Sequence, residues 1–228
     1  MPEQFTALMP MKGHSERVPD KNLRPLAGRP LCLWMLEILA ASSFVAEILV
    51  NTDNDRIRRQ VENLPKAKVI DRPEALCGDF VPMNAIIAHD LNFAAAPHIL
   101  QTHSTNPLFS LATLEAALAA YLSARPKHDS LFTVTARQGR FYQPDGRTVN
   151  HDPAELKRTQ DLEPIYEENS CLYVFSSTSF QAAGGRRIGL RPLLFPIAKL
   201  EAVDIDDEDD FILAEALITA RSRDGGGK

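Results

Sequence analysis

The sequence predicts an α/β fold, a doubly wound and mostly parallel sheet, and three observations carry that expectation. Short apolar runs alternate with helix-period segments through the first 136 residues, the pattern that builds strand–helix–strand crossovers and a parallel sheet. A long basic loop separates the first apolar run from the first helix. The rhythm then breaks once, after Ala136, where Arg140–Gln143, Asp145-Gly146 and Arg147–Asn150 read as a β-hairpin around a turn-forming pair.

Phe5–Met9 is the first apolar run, and Pro30 stands where a helix starts. Leu31, Trp34, Met35, Ile38 and Leu39 then recur at helical spacing. Ala46–Val50 is a short buried strand ending in Asn51-Thr52-Asp53, followed by a helix with Ile57, Val61 and Leu64 on one face. Lys68–Ile70 is a third strand. Pro82 opens a helix carrying Met83, Ile86, Ile87 and Leu91. His98–Gln101 is the next strand, Thr102–Phe109 its loop, and Ser110 the cap of a helix with Leu111, Leu114, Leu118, Tyr121 and Leu122 inward. Leu131–Ala136, Cys171–Phe175 and Leu193–Ala198 are further strands, and a final helix opens from Asp206. The expected organisation is a single domain over 1–228, with 138–170 as an inserted segment and 221–228 as a loose tail.

Composition narrows the function classes. The 228 residues are 44% hydrophobic and 24% charged, ordinary for a soluble globular protein. A formal charge of −5 argues against a general nucleic-acid binder. Cys32, Cys77 and Cys171 lie far apart without a C-x-x-C, which suits neither a disulfide framework nor a zinc site and fits a reducing cytoplasm. No basic, apolar leader opens the chain, and no apolar run approaches the roughly 18 residues of a membrane span.

Two stretches carry the chemistry. Met9–Pro30 holds Lys12, Arg17, Lys21, Arg24 and Arg29, with Glu16 and Asp20 as its acids. Gly13 and Gly28 let its backbone turn and approach a ligand. A basic loop beyond a strand's carboxyl end is a polyphosphate cradle or a solvated surface loop. Neither common phosphate-binding motif occurs in it. The second stretch is Asp204–Asp210, DIDDEDD. Val203 and Ile205 alternate with Asp204 and Asp206, so a strand there would point both carboxylates to one face. Two carboxylates are a minimal Mg²⁺ site; the alternative is a charged helix start. His14, His103 and His151 fall in loops without metal-ligand spacing.

The run K-G-H-S-E-R-V-P-D-K-N-L-R-P-L-A-G-R-P-L, with V-D-I-D near the other end, resembles the acylneuraminate cytidylyltransferase family, the sugar-acid activating enzymes that make CMP-sialic acid and its relatives. The resemblance implies a nucleotide-diphospho-sugar transferase-like, Rossmann-type fold whose 138–170 insertion forms a dimer interface. It implies transfer of CMP from CTP to the anomeric hydroxyl of a 2-keto-3-deoxy sugar acid, with release of pyrophosphate. Lys12, Arg17 and Lys21 would hold the triphosphate, Asn22 a phosphate or ribose, and Asp204 and Asp206 the Mg²⁺. Asp79, in R-P-E-A-L-C-G-D, matches a motif aspartate whose role stays open. On the sugar side the implied residues are Gln101, Arg158 in R-T-Q-D-L, and Asn169 in E-N-S. The chain departs from the pattern where Lys12 replaces the usual arginine of P-A-R. Its Gln101 loop is two residues longer, with Phe109 where arginine is usual. Another nucleotide, an eight-carbon sugar acid, or an impaired nucleotide-binding homologue remain as alternatives. Lys21, Asn22, Asp204 and Asp206 are all present, which favours the enzyme.

Overall fold

A computed structural model describes residues 4–225. Its elements in chain order are β1 (Phe5–Leu8), β2 (Pro25–Leu26), β3 (Arg29–Pro30), α1 (Leu31–Ala41), β4 (Val45–Thr52), α2 (Asp55–Val61), β5 (Ala67–Asp71), α3 (Met83–Asp90), β6 (His98–Thr102), α4 (Leu111–Ala124), β7 (Ser130–Arg137), β8 (Ile165–Ser176), α5 (Ser177–Ala182), β9 (Pro192–Pro196) and α6 (Glu208–Gly225). Seven strands form one sheet in the order β5-β4-β1-β6-β8-β7-β9. All neighbouring pairs are parallel except β8, which runs antiparallel to both β6 and β7. β1 pairs with β4 on one side and β6 on the other. The strand order therefore reverses at β1, and its carboxyl end is a topological switch point.

Strand periodicity sorts the core into two layers. Phe5, Ala7, Ile48, Val50, Leu100, Leu172 and Val174 pack on one face with Met35, Leu36, Leu114 and Leu118 of α1 and α4. Leu8, Leu49, Ile99, Tyr173 and Phe175 point to the other face, against Ile87 of α3 and Phe180 of α5. Helices thus cover both faces, as alternating side chains require. Side-chain caps fix two helix starts: Asn54 accepts from the amides of Arg56 and Ile57, and Ser110 from that of Thr113.

A third cluster lies beyond the sheet. Val18 and Leu26 of the basic loop, Leu31, Leu108, Ile205 and Phe211, Ala214 and Ile218 of α6 bury together. It clamps the two chemically loaded stretches to each other, though 184 residues separate Lys21 from Ile205.

Three expectations change. Residues 203–206 form no strand; Ile205 is buried in the third cluster and its amide bonds the Thr105 carbonyl at 2.9 Å. The sheet claims residues 165–170, because β8 begins at Ile165. The remaining hairpin is held by one Tyr142–Thr148 bridge and a Gln143 amide bond to the Arg147 carbonyl at 2.7 Å. The expected tail over 221–228 starts later: α6 continues to Gly225 and Arg221 donates to the Leu108 carbonyl at 3.1 Å. Residues 226–228 lie outside the described residues. Among the described residues, no helix is long and apolar enough to cross a membrane.

Candidate functional site

The basic loop leaves β1 at the switch point and doubles back through a tight β2–β3 ribbon. Ala27 and Gly28 turn it with φ of 49° and 86°, the left-handed region where glycine carries no Cβ penalty. Gly13 has a different reason. A Cβ there would lie 2.5 Å from the Asn54 amide nitrogen, while the Gly13 amide donates to Asp53 Oδ1 at 2.7 Å.

The structure divides the five basic residues of the loop by task. Arg24 makes two bonds to the Glu208 carboxylate, at 2.6 and 2.7 Å, and lies over the Phe211 ring. Arg29 pairs with Glu37 and lies over Trp34. These two fasten the loop to α6 and α1. Lys12, Arg17 and Lys21 line a two-lobed cleft. One lobe, about 260 Å³, is bounded by Lys12, Lys21, Asn22, Arg72, Asp79, Met83 and His103; the other, about 250 Å³, by Lys12, His14, Arg17, Lys21, Asn22 and Asp206. Roomier hollows of about 470 and 550 Å³ lie beside Trp34 and around Arg125. Neither holds the cleft's cations, so chemistry rather than size marks the site.

Each cleft cation meets an oxygen. Lys12 Nζ is 2.5 Å from Asp79 Oδ1, Arg17 Nη2 donates to Asp206 Oδ1 at 2.9 Å, and Lys21 Nζ donates to the Ile205 carbonyl at 2.7 Å, with Asp206 4.0 Å away. Lys12 holds the Asp79 carboxyl below its usual range. Burial lowers the Lys21 pKa, opposed by the negative charges of Asp206 and Asp204. Asn22 donates to the Lys12 carbonyl at 3.1 Å and accepts from Ser104 at 2.5 Å, tying the loop to the end of β6. Arg72 is held by Asn51 through two bonds, and Asn51 in turn donates to buried Asp90 at 2.5 Å.

The acidic stretch separates as well. Asp207 and Asp210 cap α6: Asp207 Oδ1 accepts from the Asp210 amide, and Asp210 Oδ2 from the amides of Asp206 and Asp207. Asp206 faces solvent and the cleft cations. Asp204 turns inward, and its Oδ1 is buried without a hydrogen-bond partner among the described residues. Burial raises its pKa first, and the Asp206 charge adds to that; a Thr105 hydrogen bond and Lys21 act the other way. A buried, unpartnered carboxylate oxygen is costly unless a cation meets it. Asp204 and Asp206 therefore fit a hard divalent cation completed by phosphate and water oxygens. Among the described residues no cluster of three metal-ligating side chains forms, so protein ligands alone do not cage an ion.

The sugar-side residues do not gather as expected. Arg158 is exposed and pairs with Asp161 three residues on, outside both lobes. Asn169 is tied by Thr133 at 2.7 Å and Thr135 at 3.1 Å, which makes it a brace between β7 and β8. Gln101 is fully buried and engaged at both ends: its Nε2 donates to the Thr102 carbonyl, and its Oε1 accepts from Arg187 at 2.7 Å. The sequence reading gave no site role to Arg187, His103 or Arg72. His103 lines the cleft, and its pKa is held down to about 4 by desolvation, then by the positive Arg187 and Lys21. Arg187 follows Gly184-Gly185-Arg186 in a loop, and charge in a glycine-rich loop was its only visible signal.

Comparison with known proteins agrees with this geometry. A family model described as cytidylyltransferase matches residues 6–192. N-acylneuraminate cytidylyltransferase of Streptococcus agalactiae is 22% identical over 90% of this chain and 51% of its own length. The chain thus spans about half the length of the relatives of that kind. Pseudaminic acid cytidylyltransferase of Campylobacter jejuni is 23% identical over 76% of this chain and 78% of its own. A CMP:2-keto-3-deoxy-manno-octonic acid synthetase solved with CTP shares the fold, with TM-score 0.70 and 13% identity, over 96% of this chain and all of that one. A 4-diphosphocytidyl-2C-methyl-D-erythritol synthase from Anaerococcus prevotii does so at TM-score 0.66 and 12% identity, over 95% and 96%.

Proposed function

The chain belongs to the cytidylyltransferase family, and from that premise we propose that it transfers CMP from CTP to the anomeric hydroxyl of a 2-keto-3-deoxy sugar acid, releasing pyrophosphate. One observation carries the reading: in a cleft that Lys12 also lines, Arg17 and Lys21 meet Asp206, and the neighbouring Asp204 keeps one oxygen buried and unpartnered among the described residues. Such a site holds an anion and a hard cation together, as a nucleoside triphosphate requires.

In this reading Lys12 and Arg17 exchange their carboxylate partners for triphosphate oxygens. Lys21, anchored on the Ile205 carbonyl, places its ammonium between phosphates and acids. Asn22 orients nucleotide or ribose from the loop's inner edge. Asp204 and Asp206 would hold Mg²⁺, which when bound neutralises charge on the triphosphate. The protein's contribution is alignment of the attacking hydroxyl and a fixed field around the α-phosphate. His103 stays neutral over the working range and repels neither cation nor substrate. The acceptor class rests on relatives that act on N-acylneuraminate, pseudaminic acid and 3-deoxy-manno-octulosonate.

Assembly belongs to the same reading. Tyr142, Val149, Leu156 and Tyr166 are exposed along or beside the inserted segment, Leu156 at 85%. A second copy of the chain would cover them and bring Arg158 toward a neighbouring cleft. The direct test is pyrophosphate release with each of the four NTPs and Mg²⁺ against these three sugar acids. CTP-selective release with at least one acid is expected; release from another NTP only, or from none, rejects the reading.

A further inference from the structure

Behind the His103 wall of the cleft, outside the lining of both lobes, lies a cation with no short ion pair among the described residues. Arg187 enters from the α5–β9 loop, where its amide donates to Asn84 Oδ1 at 3.3 Å at the start of α3. Its guanidinium lies 3.5 Å over the Tyr173 ring and donates one bond, to Gln101 Oε1. Its side chain is 19% exposed, and its nearest acid, Glu168, stands 3.9 Å away, beyond hydrogen-bond reach. The Glu168 carboxylate is instead engaged by the Tyr173 hydroxyl. Tyr173 itself is neutral, its pKa pushed up to about 12 by burial.

A guanidinium has five N–H donors in a planar fork, and among the described residues one is used here. Withdrawing that charge from water without a hydrogen-bonded counter-ion is unfavourable. Gln101 and the Tyr173 ring fix its plane, while Gln101 Nε2 also contacts His103 Nε2 at 3.2 Å, and His103 lines the cleft. His103 therefore stands between the cleft and Arg187, joined to the guanidinium through Gln101. Arg158, by contrast, is exposed and already paired.

We infer that Arg187 is the residue that receives the carboxylate of the acceptor sugar acid, oriented for it by Gln101 and Tyr173. The inference rests on the proposed transfer reaction and names the group that selects an acid over a neutral sugar. A planar carboxylate matches the free edge of the fork and supplies the hydrogen-bonded counter-charge that Glu168, at 3.9 Å, does not. Gln101 then acts as a positioning residue that holds the fork.

The test separates recognition from packing. N-acetylneuraminate, 3-deoxy-manno-octulosonate and their C1 amides are titrated by calorimetry into wild type, Arg187→Lys and Arg187→Gln, each with saturating CMP. Pyrophosphate release and CMP affinity are followed in parallel. Wild type should prefer at least one acid over its amide by roughly ten- to a hundredfold, the scale of one charge-assisted contact. Arg187→Gln should bind acid and amide about equally, with CMP affinity kept within about twofold, and Arg187→Lys should retain part of the preference. Wild-type turnover with an acid preference that survives in Arg187→Gln overturns the inference alone. Absence of any acid binding and any pyrophosphate release in wild type overturns the transfer reading and the inference with it.

Discussion

The cleft and the buried cation behind its His103 wall solve opposite electrostatic problems. At the loop end, Lys12 and Arg17 are substantially exposed and each sits against a carboxylate. Exposed ion pairs contribute about 0–1 kcal/mol and exchange readily. Behind the cleft, Arg187 is largely buried, braced by Tyr173 and Gln101, and lacks a hydrogen-bonded acid among the described residues. The difference teaches how charge and burial divide the work. In the proposed reading, the exposed pairs are placeholders for a triphosphate, whereas the buried, braced cation selects what completes it.

The largest expected effect lies at Asp204, beside Lys21 and Asp206. Asp204→Asn should lower turnover by roughly a hundred- to a thousandfold, the scale of losing one preorganised electrostatic contact. Asp209→Asn, one position into α6 and outside the capping bonds, should change it by less than about twofold. Steady-state kinetics over a magnesium series compares the two. Equal small losses would reduce the acidic stretch to a charged helix start.

Next come the loop-end cations. Lys12→Ala should cost roughly ten- to a hundredfold in kcat/KM for CTP, and Lys12→Arg should keep part of the activity because the charge remains. A silent Lys12→Ala alongside a severe Lys21→Ala would leave the triphosphate to Lys21 and Arg17.

Asn169 tests whether a residue expected on the sugar side serves the ligand or the sheet. Asn169→Ala removes the bonds to the Thr133 and Thr135 hydroxyls, leaving Thr133 only its Leu172 backbone contacts, so it should destabilise the fold by about 1–3 kcal/mol in urea unfolding. Its effect on acid-over-amide preference should be small. A stable variant with lost preference would return Asn169 to the binding site.

His103 supplies a pH test. Its native pKa is about 4, against an ordinary value near 6.5. Between those values the unfolded chain binds a proton that the native state does not, so stability falls as pH drops from about 6.5 to about 4. The slope contribution is at most about 1.4 kcal/mol per pH unit. An imidazole NMR titration should place His103 near 4, and His103→Gln should remove that slope. Titration near 6.5 would put the ring in water and open the wall between the cleft and Arg187.

The fold was largely legible because it rests on periodicity. Leu31, Met35 and Leu39 mark α1, and Ser110 caps α4 as its position suggested. The loop end was legible too, since its cations sit in one continuous stretch and its acids in another. The rest depended on contacts between distant residues. Asp204 and Asp206 do not share a strand face: the buried Ile205 side chain pins the segment, and that lesson lives in a cluster assembled from four parts of the chain. Arg187 and Gln101 are 86 residues apart and carry no joint pattern. Asn169 reads as a ligand group until its two threonine partners on β7 are seen.

The smallest effect tests the central claim most directly, because its sign decides it. If Asp79 is a placeholder for phosphate on Lys12, then Asp79→Asn releases that lysine without removing a ligand contact. CTP titrated calorimetrically into Asp79→Asn and wild type, at matched ionic strength, should bind the variant equally or up to about fivefold more tightly, the reach of one exposed pair. Binding weakened tenfold or more would make Asp79 a nucleotide contact in its own right and contradict the exchange of partners at the loop end.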